Sequence, residues 1–117
     1  MASTPLAQPL LAHHDAIVKL CREFGVERLE VFGSAADGRF DPQRSDVDFI
    51  VRLSPVAGVG GGSLGRRFVG LADALEAVLA RRVDLMTDKP IRNPYLRQAV
   101  DASRRLIYEQ PPAQTSA

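Results

Sequence analysis

The chain has one cysteine, Cys21, and two histidines. A single thiol excludes an internal disulfide framework and any cysteine-rich zinc site. His13 and His14 lack the further His or Cys partners that zinc needs, and read as surface residues. No apolar run reaches the roughly 20 residues that span a bilayer. The N-terminus lacks the basic-then-apolar layout of a secretory signal, so the cytoplasm is the default expectation. Neither charge sign is in excess, with 15 Lys and Arg against 14 Asp and Glu. No general field for nucleic acid is implied, and no direct nucleic-acid binding is expected. The pairs Arg66-Arg67, Arg81-Arg82 and Arg104-Arg105 are scattered among acids and read mostly as solvated faces. One of them could line a phosphate site or meet an acidic partner.

What is present fits one domain with one modest core: 117 residues of ordinary apolar content. The expected division is a loose, proline-bearing segment over 1–9, a domain over 10–109, and a proline-rich disordered tail over 110–117. Leu10, Ile17, Leu20, Cys21 and Phe24 recur at helical spacing, and Gly25 closes that helix. Cys21 reads as a small buried apolar residue. Arg28 to Phe32 and Asp46 to Leu53 read as strands, with a turn marked by Asp41-Pro42 between them. Arg66 to Ala80 form a second long helix whose inward stripe is Phe68, Leu71, Leu75, Val78 and Leu79. Arg82 to Thr87 form a third strand. Asn93-Pro94 open a last helix, with Leu96, Val100 and Ile107 as its stripe.

Chemistry concentrates between Val31 and Val51. In a strand, successive side chains alternate faces, so Val47, Phe49, Val51 and Leu53 make a core face. Asp46 and Asp48 then share the other face, roughly 6.5–7 Å apart at the backbone. Such a pair suits a hard cation like Mg2+, which takes one or two carboxylates plus substrate phosphates. Without a cation the two repel, and one has its pKa raised. Strand-capping acids in solvent are the bland alternative. Upstream, the apolar run breaks at Gly33-Ser34, where Gly permits close backbone approach and a Ser hydroxyl adds a donor for phosphate. The bland alternative there is a strand-to-helix turn with Ser34 as N-cap. Arg39 and Arg44 are the cations best placed to help with phosphates, or are ordinary turn residues.

One further pattern is a decoy. Gly60, Gly62 and Gly65 fit a dinucleotide fingerprint, with Asp84 following. That fingerprint needs its first Gly directly after a strand, and the strand here should end near Leu53.

Together, Gly33-Ser34 and Asp46-Val47-Asp48, spaced by Ala35 to Ser45, resemble the signature of the polymerase-beta-type nucleotidyltransferase superfamily. The match is similar above all to the minimal nucleotidyltransferases, antitoxin partners of HEPN-domain toxins. Gly33, Ser34, Ala36, Gly38, Ser45, Asp46 and Asp48 stand where that family's motif has them, whereas Asp37 replaces its usual Arg. The resemblance implies an α/β (α+β) fold: a small mixed β-sheet with helices packed on one side. It implies a third carboxylate, Asp84, arriving on a later strand, the bland alternative being an exposed Asp on an edge strand. It implies two Mg2+ ions held by Asp46, Asp48 and Asp84. Gly33, Ser34, Arg39, Arg44 and Ser45 would sit on the nucleotide. The implied reaction carries AMP from ATP to a tyrosine of a HEPN ribonuclease toxin and silences it. Tyr95 lies in the Asn-Pro-Tyr helix typical of the family, near the site, at a partner, or simply as a core or rim aromatic. Asp37 motivates an alternative, an antitoxin that works by binding alone. The third expectation, a small-molecule nucleotidyltransferase, ranks last because no acceptor-holding helical domain fits after Thr87.

Overall fold

The computed structural model describes residues 6–38, 41, 46–55, 63–87 and 92–110, with the side chain of Asp37 also outside the description. Elements follow in the order α1 (Gln8–Ala12), α2 (His14–Glu23), β1 (Val26–Phe32), α3 (Ser34–Asp37), β2 (Val47–Leu53), α4 (Leu64–Leu79), β3 (Val83–Thr87), α5 (Pro94–Ser103) and β4 (Arg105–Glu109). The four strands make one mixed sheet in the order β3-β2-β1-β4. β1 is antiparallel to both β2 and β4, and β2 is parallel to β3 across the α4 crossover.

The alternation of β2 sets the core. Val47, Phe49 and Val51 are buried with Leu29 and Val31 of β1, and meet Ile17 and Cys21 of α2 and Leu71, Leu75 and Leu79 of α4. Burial pushes the Cys21 thiol up to about 12, so it is an inert apolar filler. The helix expected as one piece from Leu10 is two, broken at His13, whose φ of −114° is not helical. Gly25, at a φ of +68°, turns the chain directly from α2 into β1. The Ser63 hydroxyl accepts the Arg66 N–H and opens α4, and Asn93 Oδ1 accepts the Tyr95 and Leu96 N–H groups and opens α5. β2 ends at Leu53 and Gly65 already lies in the first turn of α4, so no glycine turn directly follows the strand. Gly60 and Gly62 lie outside the described residues.

Beyond the break at His13, the structure corrects the sequence reading at two further places. The last helix stops at Ser103, and Ile107 is buried in β4, not on a helical stripe. Val100 and Ile107 are seven residues apart, which fits a helix, but hydrogen bonding to the open edge of β1 overrides that local pattern. Leu96 is exposed. The second correction is Arg67, which is buried rather than solvated. Its guanidinium donates to the carbonyls of Phe24, Gly25 and Ser54. These carbonyls lie just before β1 and just after β2, and that of Gly25 also accepts the Ser54 N–H at 2.9 Å.

Among the described residues Glu30 is the other buried charge, 4% exposed on β1. Arg104 forks onto it, Nε donating at 2.9 Å and Nη2 at 2.6 Å, and Arg28 Nε donates at 3.2 Å. The hydrogen bonds from Arg104, then from Arg28, hold the Glu30 carboxyl below its ordinary value despite burial. A depressed folded pKa means its stabilisation is complete above the ordinary 4.5 and is lost as pH falls through the lower folded value. Glu30→Gln is expected to cost about 2 kcal/mol at pH 7, discounted from the fully buried case because Arg104 is partly exposed. Urea unfolding at several pH values checks this. The gap between the two proteins should narrow as pH falls below 4.5 and through the lower folded value.

Candidate active site

The site forms where β1, β2 and β3 present their ends to one corner of the sheet. Asp46 immediately precedes β2, and Asp48 is its second residue. Parallel pairing sets Asp48 opposite Asp84 of β3, with Val47 opposite Val83 and Phe49 opposite Leu85. This register brings together two acids 36 positions apart. Asp48 is half-buried while Asp84 is exposed on an edge strand.

Asp48 has its carboxyl pushed up to about 6. Burial is the first cause, followed by the hydrogen bond and charge of Asp84 and then the charge of Asp46. Asp84 and Asp46 thus both act on Asp48, although among the described residues no group of three or more His, Cys, Asp or Glu is gathered closely enough to hold a metal ion by itself. The donor set is an interacting Asp48–Asp84 pair flanked by Asp46. An all-oxygen set of few carboxylates fits Mg2+, which completes its shell with water and phosphate. The raised Asp48 carboxyl marks the negative charge that such a cation would offset.

Gly33 closes the site from the β1 side. Phe32 pairs with Asp48 across the sheet, and Gly33 then turns at a φ of +73° and a ψ of −150°. That combination is accessible essentially to glycine alone. A Cβ added there would lie 2.9 Å from Asp48 Oδ2. The close approach expected of a ligand is therefore made by the Asp48 carboxylate itself. Ser34 begins α3, and Gly33, not Ser34, is the N-cap. Gly38, at a φ of +88°, ends α3 in the left-handed conformation.

Two contacts at this turn come from distant residues. The Gly33 N–H donates to Ser103 Oγ at 2.8 Å, so it is engaged within the protein. Arg105 Nη1 reaches the Ala36 carbonyl at 3.5 Å. Sequence reasoning missed both residues, since no local signal links positions some seventy residues apart. Arg39, Arg44 and Ser45, expected on the nucleotide, lie outside the described residues, as does the Asp37 side chain. Tyr95 is 83% exposed, not in the core. Cys21 and both histidines have no part in the site; the histidines are exposed.

A family model for the nucleotidyltransferase domain matches residues 15–107. An inferred protein adenylyltransferase of Methanocaldococcus jannaschii is 30% identical over 99 residues, covering 85% of this chain and 90% of that protein. A solved structure of an inferred minimal nucleotidyltransferase superposes with a TM-score of 0.65 at 30% identity, covering 89% of this chain and 98% of that one. A tri-AMPylated HEPN toxin in complex with its MNT antitoxin, from Shewanella oneidensis, gives a TM-score of 0.56 at 20% identity. That match covers 86% of this chain and 72% of the other, and speaks for the fold.

Proposed function

Since the chain belongs to the nucleotidyltransferase domain family, we propose that it is an antitoxin of the minimal nucleotidyltransferase type, an enzyme that transfers AMP from ATP to a tyrosine hydroxyl of a HEPN ribonuclease toxin. The observation that carries this reading is the Asp48–Asp84 pair, in register across parallel strands and closed over by Gly33.

In the reaction, the acceptor oxygen forms a bond to the α-phosphorus and the bond to the β-phosphate oxygen breaks, releasing pyrophosphate. Asp84 takes the acceptor's proton as general base. Its exposure suits an acceptor carried on another protein, because a bulky partner can reach an edge strand. Asp46 and Asp48 would hold Mg2+ with Asp84. Bound Mg2+, in two ions, supplies charge neutralisation at the attacking and leaving oxygens. The Ser34 hydroxyl, at the turn beside Asp48, donates to the β- and γ-phosphates, with Arg39, Arg44 and Ser45 alongside.

The test is incubation of the chain and its HEPN partner with Mg2+ and ATP labelled in the α-phosphate, with γ-labelled ATP in parallel. Label on the partner from α-labelled ATP alone is the expected result. Absence of label, with a stable complex whose ribonuclease is silent, would leave an antitoxin that works by binding.

A further inference from the structure

Three consecutive residues where α5 passes into β4 grip three separate points of the β1–α3 unit. Ser103 Oγ accepts the Gly33 N–H at 2.8 Å and donates to the Ala99 carbonyl at 2.9 Å. Arg104 forks onto the buried Glu30 of β1. Arg105 Nη1 donates to the carbonyl of Ala36 within α3. Two of these contacts therefore bracket the Gly33–Asp37 turn, while the third fixes the bracket to the sheet.

The Ser103 contact is the informative one. A hydroxyl has one hydrogen to donate, and here it goes to Ala99, so the oxygen's lone pairs are aimed at Gly33. Gly33 is held in a conformation that its neighbours in sequence do not impose. Its peptide plane sets the direction in which Ser34 leaves the strand, and its lack of a side chain sets how near Asp48 can come. A displaced Gly33 peptide would move both together.

We propose that Ser103 is a positioning residue for nucleotidyl transfer. It touches neither nucleotide nor acceptor, and acts by holding the Gly33–Ser34 peptide against Asp48. Arg105 steadies the far end of the same turn. This rests on the adenylyl-transfer reading for its consequence, though the contact itself can be measured without nucleotide.

The experiment compares wild type, Ser103→Ala and Ser103→Thr in three measurements: amide hydrogen exchange at Gly33 by NMR in the nucleotide-free protein, affinity for Mg-ATP by calorimetry, and transfer kinetics with the HEPN partner. Ser103→Ala should speed Gly33 exchange by about tenfold, as expected for one lost hydrogen bond. It should lower kcat by about tenfold or more, and weaken Mg-ATP by about threefold, because small misplacements of reacting groups are costly. Thermal unfolding should move by only a few degrees, and Ser103→Thr, which keeps the hydroxyl, should recover most of kcat. Unchanged Gly33 exchange in the Ala variant would overturn the proposal. So would a fall in melting temperature with kcat and KM at wild-type values. A wild type that transfers nothing to the partner would remove the adenylyl-transfer reading instead. Ser103 is then judged on Mg-ATP affinity: weaker in the Ala variant sustains the positioning role, equal affinity ends it.

Discussion

Asp48→Asn is expected to reduce label transfer by about a thousandfold or more, the scale of losing a central metal-holding or proton-handling carboxylate. The same variant should fold at least as well as wild type. Asp48 is half-buried beside Asp84 and Asp46, and its carboxyl is pushed from 3.8 up to about 6. A folded pKa above the unfolded one means the folded state binds more protons between those values. Stability of the metal-free protein therefore falls as pH rises from about 4 to about 6, and the whole deficit remains at neutral pH. Asparagine carries no charge and lacks this deficit. The variant should melt roughly 5 °C higher than wild type at pH 7 without metal, with no such gain near pH 4. Adding Mg2+ should raise the melting temperature of wild type and leave the variant nearly unmoved. A variant that both lost activity and melted well below wild type would show that Asp48 serves the fold rather than the site.

Gly33→Ala is expected to damage stability and transfer together. The backbone at a φ of +73° and a ψ of −150° costs any residue with a Cβ about 1–3 kcal/mol. The new methyl would also sit 2.9 Å from Asp48 Oδ2, closer than a carbon and a carboxylate oxygen tolerate. Either the turn or Asp48 has to move. Movement of Asp48 out of register with Asp84 should cost about a hundredfold in kcat, the scale of an ångström-sized misplacement. Urea unfolding and transfer kinetics on the same preparation separate the two effects. A loss of stability with kcat unchanged would mean that the turn yields and the carboxylate keeps its place.

These two residues also mark how far the sequence could be read. The Asp46-Val47-Asp48 alternation correctly assigned its own faces, because a strand's period of two is fixed by the backbone. Gly33 was legible as a close-approach glycine, although the group approaching it is Asp48, contributed by the neighbouring strand. Asp84 was legible through its place in a third strand and through the family resemblance. Its meeting with Asp48 depends on parallel pairing through α4, which the sequence allows and the sheet carries out. Arg67 was misread because an Arg-Arg pair reports charge, whereas the carbonyls it satisfies lie in two other segments. β4 was absorbed into a helix because five residues carry little periodicity, and the hydrogen bonds that favour the strand belong to β1.

By itself, the sequence determined the strands bearing the acids, the glycine turn before them, the main helices and the family. Each follows from interactions within a few residues: side-chain alternation, helical spacing, capping by Asn93, and the freedom of Gly33. Only the tertiary structure decided that Asp48 is half-buried and faces Asp84, which together raise its pKa. It alone decided that Glu30 is buried under Arg104, and that Ser103 and Arg105 hold the turn on which the site is built. Those are contacts between segments far apart in the chain, and their partners are chosen by how the sheet and helices pack, which no local pattern encodes.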